Sequence, residues 1–433
     1  MRSSKFKVKN GHPSNDRWAT HSKRWAAYLF LFSFSFFVIV FVAKRLVFVF
    51  VFVFVFVFSS YLCNQDMKIL LVGEYSNVHW TLAEGLRALG HEVTVVSDGD
   101  HWKGYPRDID LSRRSLGKVD TLRYLWDIHS QWPRLRGYDV VQLINPVFLD
   151  LRAERILPYY RQLRRQNGKV FLGSFGIDKP WVEEGLKPDT FRYSDFYLYG
   201  QPRRLPEAEQ MQRDWLTGAK GELNEAVADD CDGIIAGLYE NYACCLPKYR
   251  EKLRFIPFPI NHALTGLISP HPEYRGLRFF IGIQKSRSRY KGTDIMLRAL
   301  ERLKQKYPEG MEIVKAESVP FDTYQHLMDS SDVLLDQLYS YTPAMNALLG
   351  MAKGLVIVGG GEEEHYNLLG ESELRPIINV QPTEEDVVRQ IEERLLLHPE
   401  NISQLSADSM EYTRKWHNHL KVARQYLDFW QSR

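Results

Sequence analysis

Sorted into apolar and polar positions, the chain changes character at Met67. Downstream of it, short continuous apolar runs alternate with stretches in which apolar residues recur every three or four positions. "KILLVG" (68–73) is a continuous apolar run after its first residue and ends in glycine, the pattern of a parallel strand buried on both faces. After "EYSN" the spacing changes to that of a helix, with Val78, Leu82, Leu86 and Leu89 on one face, Asn77 placed to cap it and Gly90 to end it. "HEVTVVS" (91–97) is the next strand, and a strand, helix and parallel strand in so short a span form a right-handed unit. Further strands are predicted at 138–144, 169–175, 231–237 and 252–259, with helical spacing between them, as over 153–166.

The segment "NHALTGLISPHPEYRG", which starts at Asn261, interrupts the pattern with proline and glycine and reads as a linker. A second series follows: strand "LRFFIGI", a helix over 294–306, strand "MEIVKA", a helix over 323–330, strand "SDVLLDQL", a helix over 343–353 and strand "GLVIVGG". The fold class is therefore α/β, with two tandem Rossmann-like domains. The predicted partition is 67–260 for a first, acceptor-side domain, 261–277 for the linker, 278–405 for a second domain and 406–433 for a C-terminal helix returning to the first.

Upstream of Met67 the pattern fits neither a half-buried strand nor an amphipathic helix. "LVFVFVFVFVFVF" (46–58) alternates Phe and Val, so both faces are apolar, and it is shorter than the roughly 20 residues a spanning helix needs. Residues 25–43 carry no charge and follow a basic stretch, so a single span there would leave residues 1–24 in the cytoplasm and place the rest outside. Two spans hinged at Lys44 and Arg45 would return the rest to the cytoplasmic side. Residues 1–66 also read as upstream sequence ahead of a start at "MKILLVGEY", in which case they are dispensable for fold and activity.

A net charge of +3 is too small to argue for a nucleic-acid partner. Cys63, Cys231, Cys244 and Cys245 have neither metal-ligand spacing nor a paired framework, and read as reduced thiols in a cytoplasmic protein.

In open α/β sheets, ligands bind beyond the carboxyl ends of the strands, so two such domains define a cleft. Two loops of the second domain carry chemistry suited to it. "GIQKSRSRYKGTD" follows a strand and places Lys285, Arg287, Arg289 and Lys291 in a glycine-bounded turn, a set of cations that suits a diphosphate. In the second loop, Ser340 or Thr342 can cap a helix, Pro343 is preset for its first turn and Ala344 continues it, so the 340–344 stretch would offer free N–H groups to a phosphate. "GGGEEEHY" then follows the last strand. Its glycines, Gly360 among them, permit close approach of a ligand, and Glu362 and Glu364 offer polar contacts.

At these residues the chain resembles glycosyltransferases of the GT-B fold, in particular the large retaining group that includes bacterial surface-polysaccharide enzymes. "YKGTDIMLRAL" is similar to that group's basic loop and helix. "SSDVLLDQLYSYTPAMNALLGMAKGLVIVGGG" is similar to its nucleotide-sugar segment, and "DDCDGIIAG" with "RFIPFPIN" to the end of its first domain. The group's two glutamates, eight positions apart, fall here on Tyr341 and Leu349, so neither carboxylate is present.

The resemblance implies transfer of a sugar, of the hexosyl type, from a nucleotide diphosphate sugar to a hydroxyl of a glycan or lipid-linked acceptor, without metal or cofactor. It also implies a place at the inner face of the membrane. The first-domain loops would hold the acceptor, with His79 and Asp178 as candidate base or acceptor ligands and Asp336 as a further polar candidate. "DGD" and "DID" in the same domain mimic metal-binding triplets but read as structural. A nucleotide-sugar epimerase of the same architecture and a non-catalytic membrane-associated module of the fold are the alternatives.

Overall fold

The computed structural model describes residues 66–268 and 276–433, so the expectations for the N-terminal hydrophobic extension, and for the middle of the linker, lie outside the described residues. Among the described residues, no helix is long and apolar enough to cross a membrane.

The first sheet is built from β1 (Lys68–Val72), β2 (Glu92–Ser97), β3 (Ile109–Asp110), β4 (Val140–Leu143) and β5 (Lys169–Ser174). A short antiparallel hairpin, β6 (Tyr197–Leu198) and β7 (Gln201–Pro202), stands outside it, and β8 (Gly233–Ala236) and β9 (Leu253–Phe255) complete it. Its order is β3-β2-β1-β4-β5-β8-β9 and all its pairings are parallel. Ile69, Leu70 and Leu71 are fully buried, as a strand covered by helices on both faces requires. The direction of strand addition reverses between β1 and β4, which opens a crevice at their carboxyl ends.

The second sheet repeats the scheme with β10 (Leu277–Ile283), β11 (Met311–Glu317), β12 (Val333–Leu335), β13 (Val356–Gly359) and β14 (Ile378–Asn379), in the order β11-β10-β12-β13-β14 and again parallel. Its reversal lies between β10 and β12.

The helices that position functional residues are α1 (Val78–Ala88), α2 (Lys118–Gln131), α3 (Lys179–Gly185), α4 (Tyr239–Tyr249), α5 (Thr293–Lys306) and α6 (Met345–Lys353). The C-terminal stretch expected to be one returning helix is two, α7 (Asn401–Trp416) and α8 (His419–Ser432). The break has a physical cause. The His417 carbonyl accepts from the Ile260 N–H at 2.6 Å, and the Asn418 side chain accepts from the amides of Leu420 and Lys421 to start α8.

From there α8 crosses back to the first lobe, where Gly85 of α1 allows close contact: a Cβ at that position would lie 2.5 Å from the His419 carbonyl oxygen. Trp430 is fully buried, donates to Gln142 at 3.3 Å and accepts from Lys169 at 3.0 Å through its carbonyl. Its neighbours Tyr426 and Phe429 are buried as well, each side chain contributing on the order of 1.5–3 kcal/mol.

The lobes also meet through a strap, residues 191–203, that carries the β6–β7 hairpin from the first lobe onto the second. Tyr193 donates to Glu362 at 2.6 Å, Arg192 pairs with Glu362 at 2.8 Å and with Glu364, and Tyr199 donates to Gln381 at 2.7 Å. Phe191 and Tyr193 pack on Tyr341, with ring centroids 5.4 and 4.7 Å away.

Candidate functional site

A cleft of about 1000 Å³ lies between the lobes at the carboxyl ends of both sheets. From the first lobe it is lined by Ser76 and Asn77 after β1 and by Lys103 and Tyr105. From the second it is lined by Arg287 and Lys291 after β10, by Asp336 after β12 and by the start of α6. The buried strands ending here deliver these side chains: each loop begins where an apolar run gives out, so the polar residues that follow face the opening.

Lys291 forms no ion pair within 4 Å among the described residues. Burial pushes its ammonium below the usual lysine range, the neighbouring Arg287 and Lys103 push the same way, and Asp336 opposes them. Lys103 itself is held by Asp100 at 2.6 Å and by the Ser76 hydroxyl at 3.2 Å. The Asp336 carboxyl is raised by burial and steadied by Lys291, by the Asn346 side chain at 3.4 Å and by the amides of Gln337 and Ala344. Met345 and Asn346, whose amides have no protein acceptor among the described residues, line the cleft. The arrangement is an under-neutralised cationic recess with free helix N–H groups, which suits a polyanion.

Of the residues expected to hold a donor, Arg287, Lys291 and Ala344 line this cleft, although the Ala344 amide is already bonded to Asp336. Arg289 is exposed and does not line it, and its carbonyl accepts from Arg203 at 3.0 Å.

The expectation of free amides over 340–344 is corrected. Glu240, at the start of α4 in the first lobe, accepts from Tyr341 N–H at 2.6 Å, Thr342 N–H at 3.1 Å, the Ser340 hydroxyl at 3.1 Å and the Thr342 hydroxyl at 2.7 Å. Ser340 and Thr342 are buried there, Pro343 has no N–H to offer, and α6 starts at Met345 rather than at Pro343.

Gly360 is small for a different reason than ligand approach, since a Cβ there would stand 2.0 Å from the Ser340 carbonyl oxygen. Glu362 and Glu364 are taken by the strap through Tyr193 and Arg192. These residues belong to the contact between lobes, and the cleft is elsewhere. Tyr341 lies in that contact too, accepting at its hydroxyl from Arg192 N–H at 2.8 Å, while Leu349 lines the cleft.

The candidate bases are both structural. His79 is fully buried, its Nδ1 lies 2.8 Å from the Gly73 carbonyl, and its ring packs edge-on to Phe175. Burial holds its pKa down to about 3, so the imidazole is neutral, and His79 lines neither the cleft nor the smaller recess beside Glu74. Asp178 caps α3, accepting from Trp181 N–H at 2.9 Å and from the Ser174 hydroxyl, and burial raises it to about 6. The aspartate triplets are spent similarly: Asp98 lies 3.0 Å from His101, Asp100 holds Lys103 and Asp110 holds Arg107.

Sequence reasoning missed Glu240, Lys103 and Glu74. Glu240 had a weak signal, an acid in the first turn of a helix after a buried strand. Lys103 sits in a short turn with none. Glu74, rather than Asn77, caps α1, accepting from the amides of His79 at 3.2 Å and Trp80 at 2.9 Å. Asn77 has a left-handed backbone and makes no capping bond. Glu74 is buried, and burial, reinforced by Asp100, raises its carboxyl to about 8. It lines a smaller recess of about 200 Å³ at the β1–β4 switch point, beside Asp98, Tyr124 and Asp150.

No protein-family model matches the chain, and no curated protein matches it. Solved structures do. Sucrose-phosphate synthase from Thermosynechococcus elongatus is 14% identical, with 84% of this chain and 98% of that one covered and a TM-score of 0.53. HepE from Anabaena, solved with UDP and glucose, is 12% identical, with 85% and 100% covered and a TM-score of 0.51. These likenesses show the fold: the chain has the GT-B architecture of two Rossmann-like domains.

Proposed function

We propose that the protein is a glycosyltransferase, moving a hexosyl group from a nucleotide diphosphate sugar to an acceptor hydroxyl in the cleft. The observation that carries this reading is the convergence of Lys291, Arg287 and Lys103 with the free amides at the start of α6, around an opening whose lining carboxylates are Asp336 and, from the first lobe, Glu84, which is already bonded to Trp80 and Asn261. The binding of UDP by HepE, a protein of the same fold, supports it.

As the bond from sugar to diphosphate breaks, negative charge grows on the departing phosphates, and fixed cations and amides stabilise that charge more than the ground state. Lys291, already depressed by burial and by like charges, gains most from an arriving anion. Counter-charge from side chains leaves no step that calls for a metal, so turnover should persist in chelator. With Tyr341 and Leu349 in place of the two glutamates, Asp336 is the carboxylate that the second lobe brings to the cleft to order the sugar. The acceptor would enter from the first lobe, as a glycan or lipid-linked hydroxyl of surface-polysaccharide synthesis at the inner membrane face.

A radiolabelled nucleotide-sugar panel with lipid and glycan acceptors tests this. Transfer supports the proposal, interconversion of the sugar would make the protein an epimerase, and binding without turnover would make it a non-catalytic module.

A further inference from the structure

Helix α2 has two apolar stripes where one would suffice to anchor it. Tyr124 and Ile128 face inward and are buried, 2% and 0% exposed. Val119, Leu122 and Trp126, spaced three and four residues apart, form a second stripe on the opposite face, 79%, 69% and 69% exposed, and Leu116 just before the helix is 81% exposed. Single exposed apolar residues are ordinary, but three large ones aligned on one helix, with a fourth just ahead of it, are a patch. Arg114, Lys118 and Arg123 border that patch, are exposed, and form no ion pair among the described residues. Elsewhere on this surface many cations are paired, as Arg107 is with Asp110 and Lys220 with Asp214.

We propose that this face of α2 docks on the surface of an anionic phospholipid bilayer, the apolar stripe entering the interface and the three cations meeting lipid headgroups. An apolar ridge with a tryptophan, bordered by unpaired cations, is the composition of a helix lying in a membrane interface. A second copy of the chain fits less well, because a two-fold contact through the same patch sets its cations against one another.

The placement gives the docking a use. Tyr124 of α2 accepts from Asp150 N–H at 3.0 Å, and Arg113 donates to the Asp150 carbonyl at 3.4 Å. The helix therefore flanks the Glu74 recess at the β1–β4 switch point. A bilayer held there would present a lipid-linked hydroxyl to the acceptor side of the cleft; that consequence rests on the transferase reading, whereas the docking does not.

The test uses the full chain with Cys63→Ser, since Cys231, Cys244 and Cys245 are buried. An environment-sensitive fluorophore is attached at Val119→Cys, or as a control at Leu397→Cys on the second lobe, a site 56% exposed. With vesicles of phosphatidylglycerol and phosphatidylcholine, the probe at 119 should shift to the blue and be quenched by nitroxide-labelled lipid, while the probe at 397 should not change. Arg114→Ala with Arg123→Ala should move the docked balance of the helix about 30-fold toward undocked.

Three results would overturn the proposal: no change at 119 while the protein sediments with vesicles, which would assign binding to residues 1–65; an equal change on pure phosphatidylcholine; or a change that grows with protein concentration without vesicles, which would make the face a contact between copies. None of these readouts uses turnover, so failure of the transferase reading would be seen separately.

Discussion

Lys291 and Arg289 lie two residues apart in one basic loop, yet the fold gives them different surroundings. Lys291 lines the cleft under pressure from Arg287 and Lys103, and Arg289 is exposed outside it. Lys291→Ala should remove a charge-assisted contact worth about 1.5–3 kcal/mol and weaken nucleoside diphosphate binding roughly 10- to 100-fold, while Arg289→Ala should leave it nearly unchanged. Calorimetric titration of both variants checks the contrast. Glu74 makes a different demand. Its carboxyl holds its proton to about pH 8 in the folded chain, against 4.5 as the ordinary value, so the unfolded chain binds fewer protons across that window and stability falls as pH rises through it. The buried imidazoles of His79, His365 and His417, held down to about 3, 3 and 4, are neutral in the fold but partly protonated in the unfolded chain near their ordinary value of 6.5, so they add an opposite slope at the lower end of this window that is common to the wild type and Glu74→Gln and cancels in their comparison. Chemical denaturation over pH 6.5–8 should therefore show stability declining in the wild type relative to Glu74→Gln. An equal slope in both proteins would mean that Glu74 is ionised in the fold.

Parallel strands carry their own signature: each sits under helices on both faces, so its residues are apolar without alternation, and 68–73 or 231–237 could be read directly. The contact between the lobes had no such local sign. Glu240 and Thr342 are a hundred residues apart, and nothing near either announces that an acid at the start of α4 will take the amides ahead of α6. For the same reason Gly360, Glu362 and Glu364 looked like ligand-binding residues when their partners are Ser340 and the strap. The pattern showed the loops at the strand ends correctly as polar; which polar groups meet a ligand and which meet the other lobe depends on how the two sheets are set against each other. Glu240→Ala would leave three buried donors without their acceptor, the Tyr341 and Thr342 amides and the Thr342 hydroxyl, while the Ser340 hydroxyl keeps the Thr342 carbonyl; at about 1–3 kcal/mol each, the loss should lower unfolding free energy by more than about 2 kcal/mol. Denaturant titration measures the loss, and small-angle scattering should show the lobes opening. Glu240→Gln, which keeps one carbonyl oxygen, should lose less.

At the scale of the whole molecule, the first sheet is finished by the last helix. Trp430→Ala should cost about 3–5 kcal/mol and Gly85→Val about 1–3 kcal/mol, the first by leaving a void and the second by forcing α8 off α1. Trp430 does not line the cleft, so for Trp430→Ala hydrogen exchange should show the loss concentrated in the first lobe, with diphosphate affinity of the folded fraction retained. The same crossing sets a schedule for biosynthesis. When β9 leaves the ribosome, the residues that will cover Phe171 and Gln142 have not been made, and at about 5–20 residues per second they follow on the order of ten to forty seconds later. During that interval the nascent first lobe holds an apolar floor open to water, which makes it a client for holding chaperones and places the commitment to a native fold at the final turns of the chain.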